Sequence, residues 1–156
     1  MSLSNQEIPL DLLQWKEHLR VKISEEKKYI FDPIRKRFYI FQPEEFTRQL
    51  IIAWLIYDQK IPRNLIQVEK LFNLHGMKRR FDIVVLSKSL KAHILVECKA
   101  HGVTIAQQVF DQISAYQQAI DAPYLIVSNG RSTYVASMNH TEKKFEFHTD
   151  FPNWQL

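Results

Sequence analysis

Arg80-Phe81-Asp82-Ile83-Val84-Val85-Leu86, a polar connection, and then His93-Ile94-Leu95-Val96-Glu97-Cys98-Lys99-Ala100 decide how the chain is read. Two apolar runs of strand length stand back to back, and both read as interior strands. The first carries an acid near its start. The second carries an acid and a lysine at its end. Charges are rarely buried unless they are paired or hold a metal, so Asp82, Glu97 and Lys99 form the candidate site.

Strand geometry sorts these residues. Side chains alternate faces, so Glu97 and Lys99 point one way and Cys98 the other. Cys98 then reads as a small buried hydrophobe. If the strands pair antiparallel through the loop 87–91, Asp82 stands across from residue 96 or 97. The carboxylates of Asp82 and Glu97 converge in that arrangement. Two converging carboxylates repel and favour a divalent cation, and an all-oxygen set suits Mg²⁺ or Mn²⁺. A lysine beside them polarises a water or offsets charge on a phosphoryl transition state.

Upstream, Leu65–Phe72 predicts a further strand, and three strands with short connections predict an antiparallel meander. Pro43 predicts a helix start, with Glu44 and Glu45 complementing the dipole. Phe46, Leu50, Ala53, Trp54 and Tyr57 form its apolar stripe, and it ends near Lys60. Residues 1–14 read as a loosely held leader. Alternation from His18 to Ile23, then Tyr29–Phe31 and Phe38–Phe41, predicts a small antiparallel appendage over 15–42. The run Arg35-Lys36-Arg37 reads as a solvated hairpin tip, with phosphate contact as the alternative.

Downstream, a second helix is expected over 103–120, with Ile105, Val109, Ile113, Tyr116 and Ile120 on one stripe and Gln112 among them. Tyr124–Ser128 reads as a buried strand. Asn129-Gly130 signals a hairpin, Ser132–Met138 returns, and Lys144–His148 is the last strand before a polar tail. Helix, three strands, helix and further strands make a mixed sheet with helices packed on it.

The 156 residues suit one domain, and 46% hydrophobic content allows a sizeable core. One cysteine excludes an internal disulfide and fits a reducing compartment, the cytoplasm by default. No run approaches the ~20 apolar residues of a membrane span. A net charge of +4 permits a polyanionic partner without demanding one. The histidines His18, His75, His93, His101, His140 and His148 show no zinc-ligand spacing.

Asp82 followed by Glu97-Cys98-Lys99 resembles the Asp…Glu-x-Lys core of the PD-(D/E)XK nucleases. Pro43-Glu44-Glu45-x-x-Arg48-Gln49 opens the preceding helix, where that superfamily often carries a further acid. Gln112-x-x-x-Tyr116 resembles the Gln-x-x-x-Tyr element of its RecB-like and type I restriction branches. Together with Phe110-Asp111-Gln112-Ile113 and Ser128-Asn129-Gly130, these motifs resemble the N-terminal nuclease domain of the type I restriction enzyme R subunit.

The resemblance implies a restriction-endonuclease-like α/β fold: a mixed β-sheet flanked by helices, with an N-terminal β-hairpin appendage. The resemblance runs from about Phe31 to Met138, and the chain reads as a leader and appendage, 1–42, followed by a nuclease-like unit, 43–156. It implies Mg²⁺-dependent DNA phosphodiester hydrolysis, endonucleolytic by expectation, without ATP. Asp82 and Glu97 would hold the metal with the backbone carbonyl of Cys98, and Lys99 would sit by the attacking water. Glu45 is the expected helix acid, with Glu44 as its rival, and Gln112 and Tyr116 would contact substrate. DNA is the expected partner and a membrane is not. A homodimer, or separate motor and specificity partners, would complete the assembly. No Gly-x-x-x-x-Gly-Lys-Ser/Thr occurs, so a stand-alone nuclease domain without a motor is expected. The alternative is a non-catalytic DNA-binding or protein-interaction module that keeps the nuclease fold.

Overall fold

The computed structural model describes residues 3–139, 141–154 and 156. Met1 and Ser2 of the leader, His140, and Gln155 of the tail lie outside the described residues.

Nine strands and two α-helices are found among the described residues. A three-stranded antiparallel sheet comes first: β1 (Val21–Ser24), β2 (Lys27–Asp32) and β3 (Arg37–Ile40). Helix α1 (Pro43–Tyr57) leads into a six-stranded sheet. Its strands are β4 (Ile66–Leu74), β5 (Met77–Leu86), β6 (Ala92–Cys98), β7 (Tyr124–Ser128), β8 (Thr133–Asn139) and β9 (Lys144–His148), in that spatial order. All neighbours are antiparallel except β6 and β7. A parallel pair needs a crossover, and helix α2 (Gln107–Ile120) supplies it. This is the expected α/β fold, a mixed sheet flanked by helices behind an N-terminal antiparallel appendage.

Both faces of the sheet centre are buried, which is why β5 to β7 read as near-continuous apolar runs. Alternate residues feed two cores. Ile83, Val85, Ile94, Val96 and Ile126 pack with Leu50, Ile51, Trp54 and Leu55 of α1. Val84, Leu95, Leu125 and Val127 pack with Phe110 and Ile113 of α2. Cys98 joins the α1 side and is buried. Burial, and next the Asp82 carboxylate, push its thiol well above the usual range.

Several expectations need correction. The leader is not loose: Ile8 donates its N–H to the Thr133 carbonyl at 2.9 Å, and Ile8 and Leu12 are buried in the α1-side core. Residues Leu12–His18 form a 3-10 helix capped by Asp11, and β1 begins only at Val21 and is exposed on both faces. Helix α2 starts at Gln107, since Ile105 is buried in the loop before it. Gln112 is exposed. Gln117 of α2 is buried instead, and its Nε2 donates to the Ala122 carbonyl at 2.8 Å. The polar tail is anchored too. Trp154 is buried, and its Nε1 donates to Gln59 Oε1 at 2.7 Å.

Candidate active site

The site forms where β5 and β6 leave their pairing. The ladder runs Val85↔Ile94, Val84↔Leu95 and Ile83↔Val96. One step further brings Asp82 opposite Glu97, as the antiparallel reading requires. At that step Asp82 replaces the ladder with its side chain: Oδ2 accepts the Cys98 N–H at 2.7 Å. On its other side the β4–β5 pairing also lapses, passing from Val68↔Ile83 to Lys70↔Phe81. Glu69, skipped between them, has φ of 54°, a left-handed conformation that costs a non-glycine residue about 1 kcal/mol or more. Backbone strain of this kind gathers at functional sites.

Arg48 holds Asp82 from α1. Its Nη2 lies 2.7 Å from Asp82 Oδ1, and its Nη1 pairs with Glu45 Oε2. The guanidinium is buried, which by itself favours its neutral form. The bond to Asp82 and the charges of Asp82 and Glu45 outweigh that and raise its pKa above the ordinary arginine value. Lys99 reaches Glu97 with Nζ 3.3 Å from Oε1.

Glu45, the expected helix acid, shares Arg48 with Asp82. Its carboxylate is buried and takes Arg35 Nη2 at 2.6 Å, Gln49 Nε2 at 3.0 Å and Arg48. Arg35 comes from the β2–β3 turn, where it also pairs with buried Asp32 at 2.7 Å. The basic run is therefore not a fully solvated tip: Arg35 is 15% exposed and lies over the Tyr39 ring, while Lys36 and Arg37 are exposed. Glu44 also lies within electrostatic reach of the site. Burial, then repulsion from Asp82, raises its carboxyl pKa, and the charges of Arg48 and then Lys99 lower it. Adjacent helical residues point ~100° apart, and Arg35 claims Glu45.

On the α2 side, Glu97 shares a cavity of about 120 Å³ with Arg79, Arg80, Phe81, Gln112 and Tyr116. The fold thus gathers Gln112 and Tyr116 with Glu97. It also adds Arg79, whose guanidinium lies 4.0 Å from the Tyr116 ring centroid and donates to the Tyr116 hydroxyl. Burial first, and Asp82 second, push Glu97 up to about 7, against the lowering influence of Lys99.

The donors fit a hard divalent cation. Asp82 accepts one bond at each oxygen, from Arg48 and from Cys98, leaving lone pairs on both. Among the described residues no three His, Cys, Asp or Glu side chains form a ready-made metal cage. Mg²⁺ keeps several waters and takes one or two carboxylates together with substrate phosphate. Asp82 and Glu97 meet that requirement.

Fold and site define a restriction-endonuclease-like α/β domain with an acid-acid-lysine centre. Residues 43–152 match the family model described as type I restriction enzyme R protein N terminus, and the chain belongs to that family. No curated protein matches the chain. No described helix is long and apolar enough to cross a membrane.

Proposed function

We propose that the domain hydrolyses DNA phosphodiester bonds with a divalent metal, Mg²⁺ or Mn²⁺ in its place, and without ATP. One observation carries the reading. Asp82 stands at the register position opposite Glu97, Lys99 is on Glu97, and Glu97 shares a cavity with Gln112 and Tyr116. Asp82, Glu97 and the Cys98 carbonyl would hold the cation, which would offset phosphate charge and acidify water. Arg48 fixes the Asp82 carboxylate. Lys99, 30% exposed, donates a hydrogen bond to a non-bridging phosphate oxygen and offsets its growing charge. Water attacks phosphorus as the P–O bond to the leaving sugar oxygen breaks; Glu44, on α1 beside Arg48, accepts the water's proton and solvent protonates the leaving oxygen. Arg79, Arg80, Gln112 and Tyr116 hold the strand's phosphates and sugars beside Glu97. The buried free thiol of Cys98 suits a reducing compartment.

The second reading is a module that keeps the fold without turnover. Both Asp82 oxygens already have protein partners, and that favours it. Calorimetric titration with Mn²⁺ separates the two. Saturable binding that Asp82→Asn and Glu97→Gln each weaken at least about tenfold supports the nuclease. Absence of binding heat in the wild type, or heat unchanged in both variants, supports the module.

A further inference from the structure

The appendage sheet has two unlike faces. Toward α1 it presents Ile30, Asp32 and Phe41: Asp32 accepts from Gln49 Nε2 at 2.9 Å, and Phe41 packs on Phe46. The opposite face, read from the strand register, carries Arg20, Lys22 and Lys27 among Tyr29, Phe31 and Phe38. The three cations are exposed and the three rings are half-buried. Arg20 lies 4.5 Å from the Phe31 centroid, and Lys22 lies 4.2 Å from that of Phe38. Among the described residues no acid occupies a strand position on this face; Glu25 and Glu26 sit in the turn at its end.

At Arg20 and Phe31 the face meets a cavity of about 170 Å³, also lined by His18, Gln49, Tyr57 and Arg63. Drug-sized sites run to ~300–1,000 Å³, so this cavity has room for one planar ring and little more. His18 stacks on Tyr57 at 3.8 Å and 17° at its wall. Gln49 is buried, and its Oε1 has no hydrogen-bond partner among the described groups. A base with an exocyclic amine would supply the missing donor.

We infer that this face and cavity bind a single nucleic-acid strand. Phosphates lie along Arg20, Lys22, Lys27 and Arg63. Bases stack on the Arg20 guanidinium plane and the rings beside it, and one base enters the cavity against the His18–Tyr57 pair. Charge selects a polyanion, and exposed stacking surface selects unpaired bases over a duplex whose base faces are covered. The surface is separate from the hydrolytic centre, and its binding does not depend on turnover.

The test is fluorescence anisotropy of a short fluorescein-labelled oligocytidylate, with a blunt duplex for comparison, in EDTA so that nothing is cleaved. Arg20→Glu combined with Lys22→Glu is expected to weaken strand binding at least about tenfold. The salt dependence becomes shallower by roughly 0.7 for each phosphate that is no longer neutralised. Tyr57→Ala is expected to weaken it by about tenfold with the salt dependence unchanged, because stacking carries no counterion release. Duplex affinity falls several-fold less than strand affinity in all of them. Circular dichroism melts confirm that these exposed substitutions leave the fold intact. Failure of the wild type to bind the strand, unchanged affinity in the double variant, or an equal weakening on duplex overturns the inference.

Discussion

Glu97 has only 24% of its side chain exposed, and the Asp82 carboxylate weighs on it. Its carboxyl ionises at about 7 in the fold against 4.5 for the ordinary group. Between these values the folded protein binds more protons than the unfolded chain, so stability falls as pH rises. The contribution is fully present below about pH 4.5 and lost through about pH 7, on the order of 3 kcal/mol. Denaturant midpoints of the metal-free protein should therefore fall between about pH 5 and pH 8, and Glu97→Gln should flatten that fall. An equally steep fall in the variant would show that Glu97 is not the group responsible. The three charges of this centre were legible because charge on an interior strand is costly and period-two alternation fixes its direction. Arg48 was not. Its role depends on α1 meeting the end of β5, and no spacing along the chain records that.

At the scale of elements, α1 shows how far local pattern reaches. Its start at Pro43 and its apolar stripe follow from proline, acids and helical period. Its polar side was hidden. Glu45, Arg48 and Gln49 are buried because the β2–β3 turn delivers Asp32 and Arg35 onto them. The helix that positions Asp82 is thus braced by the appendage, upstream of the segment that defines the family. The segment 3–18 is hidden for a related reason. Its apolar residues are broken by Asp11 and Gln14, so no period announces that Leu12 is buried. Leu12→Ala should cost about 2–5 kcal/mol in chemical denaturation, as a core cavity does. A loss within ~0.5 kcal/mol, the usual cost of a surface substitution, would return the segment to the status of a loose leader.

The whole molecule is a sheet with a core on each face and a polar notch where β5 and β6 end. The mixed sheet followed from the order of apolar runs and helices, and α2 is the crossover that its parallel pair needs. Which acids meet in the notch followed only in part, because Glu44 and Glu45 differ by a helical rotation that a distant arginine decides. The proposed DNA hydrolysis draws on all three scales: the charges, the braced α1, and the sheet that brings α2 beside Glu97. Supercoiled plasmid incubated with Mg²⁺ or Mn²⁺ tests it most directly. The wild type should nick or linearise the plasmid, EDTA should abolish this, and Asp82→Ala and Lys99→Ala should each lower the rate at least ~10²-fold. Intact plasmid with every divalent metal, or cleavage undiminished in either variant, would contradict the account.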